Sequence, residues 1–343
     1  MASRPLHEPA ELAERALFEV KRVIVGQDRM IERVMVCLLA KGHCLLEGVP
    51  GLAKTLTVET LARVVGGTFT RVQFTPDLVP ADLVGTRIYR PSREAFDIEW
   101  GPVFANLVLA DEINRAPAKV QSALLEVMAE RQVSIGGVTS RLPDPFLVLA
   151  TQNPIESEGV YPLPEAQRDR FLMKVVIGHP SEQEELEIVR RMSVTPPQAE
   201  QVLSLQDVAD LQAAAAAVFV HHEVASYAVR IVQATRDPER FGLGDLVPHL
   251  ALGASPRATL GLVAAGRALA LLRGRAFALP EDVADVAPEI LRHRLLLSYD
   301  AMAEDIEIDA LLARLLPAVP APRVAPRQDD ELLVAAHAAG RSA

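Results

Sequence analysis

His43-Cys44-Leu45-Leu46-Glu47 runs into Gly48-Val49-Pro50-Gly51-Leu52-Ala53-Lys54-Thr55, and a helical pattern follows. An apolar strand, a glycine loop closed by Lys-Thr and then a helix form the context a phosphate-cradling loop requires. The glycines let backbone N–H groups converge on anionic oxygens, and the following helix points its positive end at them. Lys54 adds a point charge near the β and γ phosphates of a nucleotide, and the Thr55 hydroxyl is suited to hold Mg2+. Ala53 stands where glycine ordinarily precedes the lysine. Read as part of a helical first turn, alanine is tolerated there. The plainer reading is an ordinary glycine-rich strand-to-helix turn, and Lys-Thr with the flanking strand weighs against it.

Outward from this loop, the first half alternates strand-like and helix-like stretches. His43 to Leu46, Thr70 to Phe74, Val108 to Ala110, Phe146 to Ala150 and Leu172 to Ile177 read as strands. Short apolar runs separated by helices imply a buried five-stranded parallel sheet with helices on both faces. Leu107 to Ala110 ends in Asp111-Glu112. A buried strand delivers side chains to the carboxyl edge of a parallel sheet, so Asp111 can reach a hydrated metal and Glu112 can polarise an attacking water. Asn153, after Phe146 to Ala150, is placed to bond a γ phosphate or that water, although asparagine before proline is also a common turn residue.

From residue 179 to residue 316 the pattern turns to helix after helix. Ser181 with Glu184 forms a capping-box signature, and Ser255-Pro256 supplies a cap and a first-turn proline. His179-Pro180 marks the boundary, because the residue before proline resists helix. The expected organisation is an α/β core over 1–178, a helical domain over 179–316, and a proline-rich linker and tail over 317–343, with Leu332 to Ala339 as a marginal terminal helix.

Bulk properties exclude several classes. A chain of 343 residues, 50% apolar, buries enough for two domains. A net charge of −10 argues against a surface built to neutralise nucleic-acid phosphates. Cys37 and Cys44, among apolar neighbours, suit buried thiols in a reducing cytoplasm. Glu8, Glu11, Glu14 and Glu19 interrupt the region where a signal peptide would lie, and no apolar run reaches membrane-spanning length, so direct membrane insertion is not expected. His221-His222 lacks the constellation of a metal site.

Taken in order, Val25-Gly26-Gln27, the Gly48 to Thr55 loop, Asp111-Glu112-Ile113-Asn114-Arg115-Ala116, Ala150-Thr151-Gln152-Asn153-Pro154, Glu165-Ala166-Gln167 with Asp169-Arg170-Phe171, and Gly253-Ala254-Ser255-Pro256-Arg257 resemble the motifs of an AAA+ ATPase of the MoxR family. They span most of residues 24 to 260. The resemblance implies a P-loop AAA+ core followed by a helical lid. It makes Lys54 and Thr55 the Walker A site, Asp111 and Glu112 Walker B, Asn153 sensor 1, Arg170 the arginine finger and Arg257 the sensor 2 arginine, with Val25 to Gln27 near the adenine. Arg168 departs from the family pattern, where an apolar residue commonly precedes Asp-Arg-Phe; a salt bridge with Glu165 or Asp169 is the reading preferred for it. Whether Arg257 acts on its own nucleotide or a neighbour's stays open.

Two hairpins interrupt the minimal fold. Val133 to Ser140 is a strand, a Gly136-Gly137 turn and a strand, and Ile88 to Trp100 turns around Pro91-Ser92-Arg93. By the resemblance these are the pre-sensor-1 hairpin and the helix-2 insert, which face the pore and a client in related proteins; Trp100 reads equally as a packing anchor. The expected protein is a cytoplasmic, hexameric, ATP- and Mg2+-dependent ATPase that remodels or assembles protein complexes, with a von Willebrand factor A domain protein as one possible partner and no nucleic acid. Alternative readings are a magnesium-chelatase-like ATPase subunit, a nucleic-acid motor, or a binding switch that hardly hydrolyses ATP.

Overall fold

The computed structural model describes residues 7–92, 94–154, 159–193 and 196–323. Among the described residues two compact units are present, one from Glu14 to Ala209 and the other from Asp210 to Arg323 together with residues 7–13. In chain order the elements begin with α1 (His7–Val23), α2 (Asp28–Leu39), β1 (Cys44–Glu47), α3 (Lys54–Val64), β2 (Phe69–Gln73), α4 (Pro80–Val84), β3 (Gly85–Arg90), β4 (Ala95–Trp100) and β5 (Leu107–Asp111). They continue with α5 (Ala118–Glu130), β6 (Gln132–Ile135), β7 (Val138–Arg141), β8 (Leu147–Gln152), α6 (Glu165–Arg168), β9 (Met173–Val176) and α7 (Glu182–Met192).

The five strands of the first unit lie in the order β2-β5-β8-β1-β9, all parallel. Their side chains alternate between two covered faces. Leu45, Val108, Ala110, Val148 and Ala150 join Val120, Leu124 and Met128 of α5 and Phe171 in one core. Leu107, Leu109, Leu147 and Leu149 are equally buried on the other face. Continuous apolar runs such as Leu107 to Ala110 are what a sheet covered on both sides requires.

All the parallel strands carry their carboxyl ends to one edge, where the phosphate loop, Asp111-Glu112 and Asn153 follow β1, β5 and β8. Both expected hairpins are present: β3 pairs β4 antiparallel from Gly85↔Trp100 to Arg90↔Ala95, and β6 pairs β7 from Gln132↔Arg141 to Ile135↔Val138. Gly136 and Gly137 both have positive φ, 56° and 84°, which is the twist-matched two-residue turn glycine permits. The capping box at α7 is formed, with Glu184 Oε2 accepting from Ser181 N at 2.7 Å and Ser181 Oγ accepting from Glu184 N at 3.4 Å. The Ser181 N–H, with the Ser181 hydroxyl also donating to Oε2 at 2.8 Å, holds the Glu184 carboxyl below the usual range.

The second unit is helical: α8 (Leu205–Ala217), shared with the end of the first, then α9 (His222–Arg236), α10 (Pro256–Leu272), α11 (Pro280–Leu291), α12 (Tyr299–Ala303) and α13 (Ile308–Ala318). Two short two-stranded ladders accompany them, Phe219–Val220 with Phe277–Ala278 and Leu250–Leu252 with Leu296–Leu297. Ser255 caps α10 and Pro256 opens it. Asp282, fully buried, gathers Arg273 at 2.9 Å, Arg275 at 2.5 Å and the Leu279 N–H at 2.8 Å, so its charge is met on all sides.

Details depart from the sequence reading. Pro317 lies inside α13, which ends at Ala318, so the helix runs past the place where a linker was expected to begin. His221 takes the cap position of α9, its Nδ1 accepting from Glu223 N at 3.2 Å. Leu332 to Ala339, read as a terminal helix, lies outside the described residues.

Candidate active site

Gly48 to Ala53 leave β1 and α3 begins at Lys54. Gly48 is buried, and a Cβ there would be crowded, meeting the Ile177 carbonyl oxygen at 3.0 Å and Ile177 Cβ at 3.1 Å. Val49 is half-buried, Pro50 and Gly51 are exposed, and Leu52 turns inward. Gly51 has φ +87°, which glycine adopts freely. Lys54 Nζ donates to the Gly48 carbonyl at 2.6 Å, tying the loop's end to its start. Burial pulls the Lys54 ammonium below the usual lysine range, while Asp111 and Glu112 act in the opposite sense. Thr55, half-buried, stands in the first turn of α3.

Ala53 requires a correction. It is not in the helical first turn but is the cap of α3, at φ 56° and ψ 18°, in the left-handed region. Alanine there bears the Cβ clash that glycine avoids. Its carbonyl accepts from both the N–H and the hydroxyl of Thr57, each at 2.9 Å, which holds the conformation in place.

At the end of β5 the two acids are held by different neighbours. Asp111 Oδ1 accepts from the Thr151 hydroxyl at 2.6 Å, and Oδ2 accepts from Arg71 Nε at 3.0 Å and Nη2 at 2.6 Å. Thr151 Oγ1 in turn accepts from the Glu112 N–H at 2.8 Å, so one buried hydroxyl joins both acids. Glu112 has φ 57°, a left-handed turn that separates its side chain from the direction of Asp111. Its Oε2 accepts from Gln73 Nε2 at 2.6 Å and pairs with Arg115 Nε at 3.0 Å. Asn153 follows β8 at the same sheet edge and is buried.

Val25, Gly26 and Gln27 link α1 to α2 with consecutive left-handed residues, Gly26 at φ 66° and Gln27 at φ 56°. Gln27 Nε2 donates to the Gly178 carbonyl at 2.9 Å, and Gly26 lies against the Glu184 side chain of α7.

Arg170 is elsewhere. It precedes β9, whose first residue Met173 is level with Cys44, and the Leu172 N–H donates to the His43 carbonyl. It therefore lies at the amino end of the sheet, and the phosphate loop follows the carboxyl end; the four residues of β1 put about 13 Å of strand between the two ends. Arg170 is exposed, and its Nη1 donates to the Leu125 carbonyl of α5 at 2.6 Å. Arg168 pairs with Glu165 at 3.6 Å. Arg257 is exposed in the first turn of α10, in the second unit.

The two hairpins touch: a Cβ at Gly136 would meet Arg87 Cδ at 2.7 Å. Arg87 also covers the Phe96 ring at 4.6 Å, and Tyr89, Phe96 and Val138 are exposed. Trp100 packs at a 52° tilt against Phe104, ring centroids 4.4 Å apart, at the base of its hairpin.

Arg71, Gln73 and Thr151 received no role from the sequence. Their signal was present: Arg71 and Gln73 are alternate polar residues on the strand read at Thr70 to Phe74, and Thr151 stands two residues before Asn153. Pairing register was missing, for only the match of Gln73 with Asp111 brings β2 beside the acids.

Comparison with known proteins agrees with this geometry. A family model described as ATPase family associated with various cellular activities (AAA) matches residues 43–173, and an AAA lid domain model matches residues 247–315. Chaperone MoxR1 of Mycobacterium tuberculosis is 65% identical over 311 residues, 91% of this chain and 82% of that one. YeaC of Bacillus subtilis, an uncharacterized protein, is 43% identical over 313 residues, 91% of this chain and 95% of that one. A crystal structure of a candidate ATPase from Cytophaga hutchinsonii, 45% identical, matches with a TM-score of 0.87 over 92% of this chain and 96% of its own. Loop, acid pair, strand order, helical second unit and relatives coincide, and the chain belongs to the MoxR family of AAA+ ATPases.

Proposed function

We propose that this chaperone-like AAA+ ATPase spends ATP hydrolysis on remodelling or assembling protein complexes. The observation that carries the reading is the placement of Lys54 and the Asp111-Glu112 pair at one sheet edge, joined through Thr151. Backbone N–H groups of Gly48 to Thr55 and the Lys54 ammonium bind the phosphates. Gln73 and Arg115 aim the Glu112 carboxylate, which orients and polarises water, and Asn153 fixes that water or the γ phosphate. Val25 to Gln27 form the adenine side.

The Thr55 hydroxyl and the Asp111 carboxylate are hard oxygen donors of the kind magnesium prefers, and they would hold Mg2+, which when bound neutralises charge on the phosphate oxygens. Arg170, a strand's length from its own phosphate loop, serves the site of a neighbouring copy. A ring fits this arrangement, and rings are typical of the family; a hexamer is the form proposed. Arg257 couples hydrolysis to movement of the helical lid. The exposed hairpin aromatics Tyr89 and Phe96 face a protein client, with a von Willebrand factor A domain protein as one candidate and the cytoplasm as the setting. The net charge of −10 disfavours nucleic acid as the client.

Glu112→Gln is expected to keep ATP bound while phosphate release falls to background. Affinity capture with that variant held in ATP should retain a protein complex. Wild-type turnover in the variant removes Glu112 from its role, and recovery of DNA instead of protein overturns the client assignment.

A further inference from the structure

Arg71 is a cation already resident on the acid expected to face magnesium. On the edge strand β2 it pairs in register with Leu109, and its side chain reaches forward along the sheet to Asp111. Two of its donors, Nε at 3.0 Å and Nη2 at 2.6 Å, go to the same carboxylate oxygen, Oδ2, and Nη2 also donates to Gln73 Oε1 at 3.2 Å. Oδ1 is engaged by Thr151 at 2.6 Å. Exposure of the pair is unequal: the Arg71 side chain is 50% exposed and that of Asp111 12%. The carboxylate is fixed by the fold, whereas the guanidinium approaches from solvent on a long flexible stem.

A second cation can use Oδ2 fully only as the guanidinium yields, since like charges at this separation repel. We propose that Arg71 is a positioning residue that holds Asp111 in place by its charge and sets how much divalent cation nucleotide binding requires. The inference rests on the reading of Asp111 as the metal-side acid.

The test is binding of a fluorescent ATP analogue to the full chain, titrated with Mg2+, in wild type, Arg71→Gln, Arg71→Lys and Lys54→Ala. Arg71→Gln is expected to lower the Mg2+ concentration for half-maximal binding by roughly three- to tenfold, the scale of a partly exposed charge interaction. The same change should weaken metal-free binding of the analogue, because the site becomes more negative. Arg71→Lys, which keeps the charge, should restore both values to within about twofold of wild type. A merely structural arginine would leave the midpoint unmoved. If Arg71→Gln does not fold, Arg71→Met keeps the aliphatic stem and carries the same expectation. An unchanged or raised midpoint, with Lys54-dependent binding intact, overturns the role of Arg71 alone. Wild-type binding by Lys54→Ala removes the site reading and the role of Arg71 with it.

Discussion

A single hydroxyl connects the two acids of the site. Thr151 donates to Asp111 and accepts from the Glu112 backbone. Thr151→Val keeps the shape but strands both partners; the expected cost is about 1–3 kcal/mol in denaturant unfolding. Turnover should fall by roughly tenfold or more while ATP remains bound, because Glu112 loses its anchor. Retention of full turnover would show that Gln73 and Arg115 suffice to aim Glu112. Ala53 offers a converse case. Glycine at its left-handed position relieves a Cβ clash and concedes some chain entropy, so Ala53→Gly is expected to gain about 0.5–1 kcal/mol, read from the thermal midpoint. The identities of Lys54, Thr55, Asp111 and Glu112 were legible because each is a chemically distinctive residue at a strand or loop end. The conformation of Ala53 was not, because φ at a cap is settled by the turn, not by the residue's propensity.

Elements were legible where periodicity and turn chemistry agreed: the apolar strands, the Gly136-Gly137 hairpin and the Ser181 cap all form. What side chains do between elements was not, since it depends on register and packing. His43 is an example. Its Nδ1 accepts from Val148 N at 3.0 Å, so its Nε2 carries the proton given to the Met128 carbonyl at 3.1 Å, strapping α5 to β8. Burial, aided by Arg131 and opposed by the Met128 bond, lowers its pKa from 6.5 to about 4. Protonation would cost the bond from Val148. As pH falls below 6.5 the unfolded chain takes up a proton that the folded chain refuses until about 4, so stability is lost through that window, by about 3 kcal/mol in all. His43→Gln should remove this part of the pH slope in urea unfolding measured from neutral pH down to about 4. An identical slope in both proteins would assign the acid sensitivity to other groups.

For the whole molecule, the proposed service of Arg170 to a neighbouring copy makes a prediction that mixing two variants checks. Arg170→Ala is expected to bind ATP normally and hydrolyse it hardly at all. Mixed with Glu112→Gln, which is inactive for a different reason, it should regain part of the activity, because some interfaces join an intact Glu112 to an intact Arg170. No recovery, in mixtures shown to co-assemble, would place both residues in one copy's site. The sequence supplied both residues without showing that they occupy opposite ends of one sheet; parallel pairing of β1 with β9 supplies that. An Arg170 that serves a neighbour's site would also restrict how copies can join. Joined head to tail, the Arg170 end of one subunit meets the phosphate-loop end of the next through two unlike surfaces, and such a contact repeats either into a closed ring or into an open row. An open row always leaves one terminal site unfinished, and only closure of the circle puts every subunit to work.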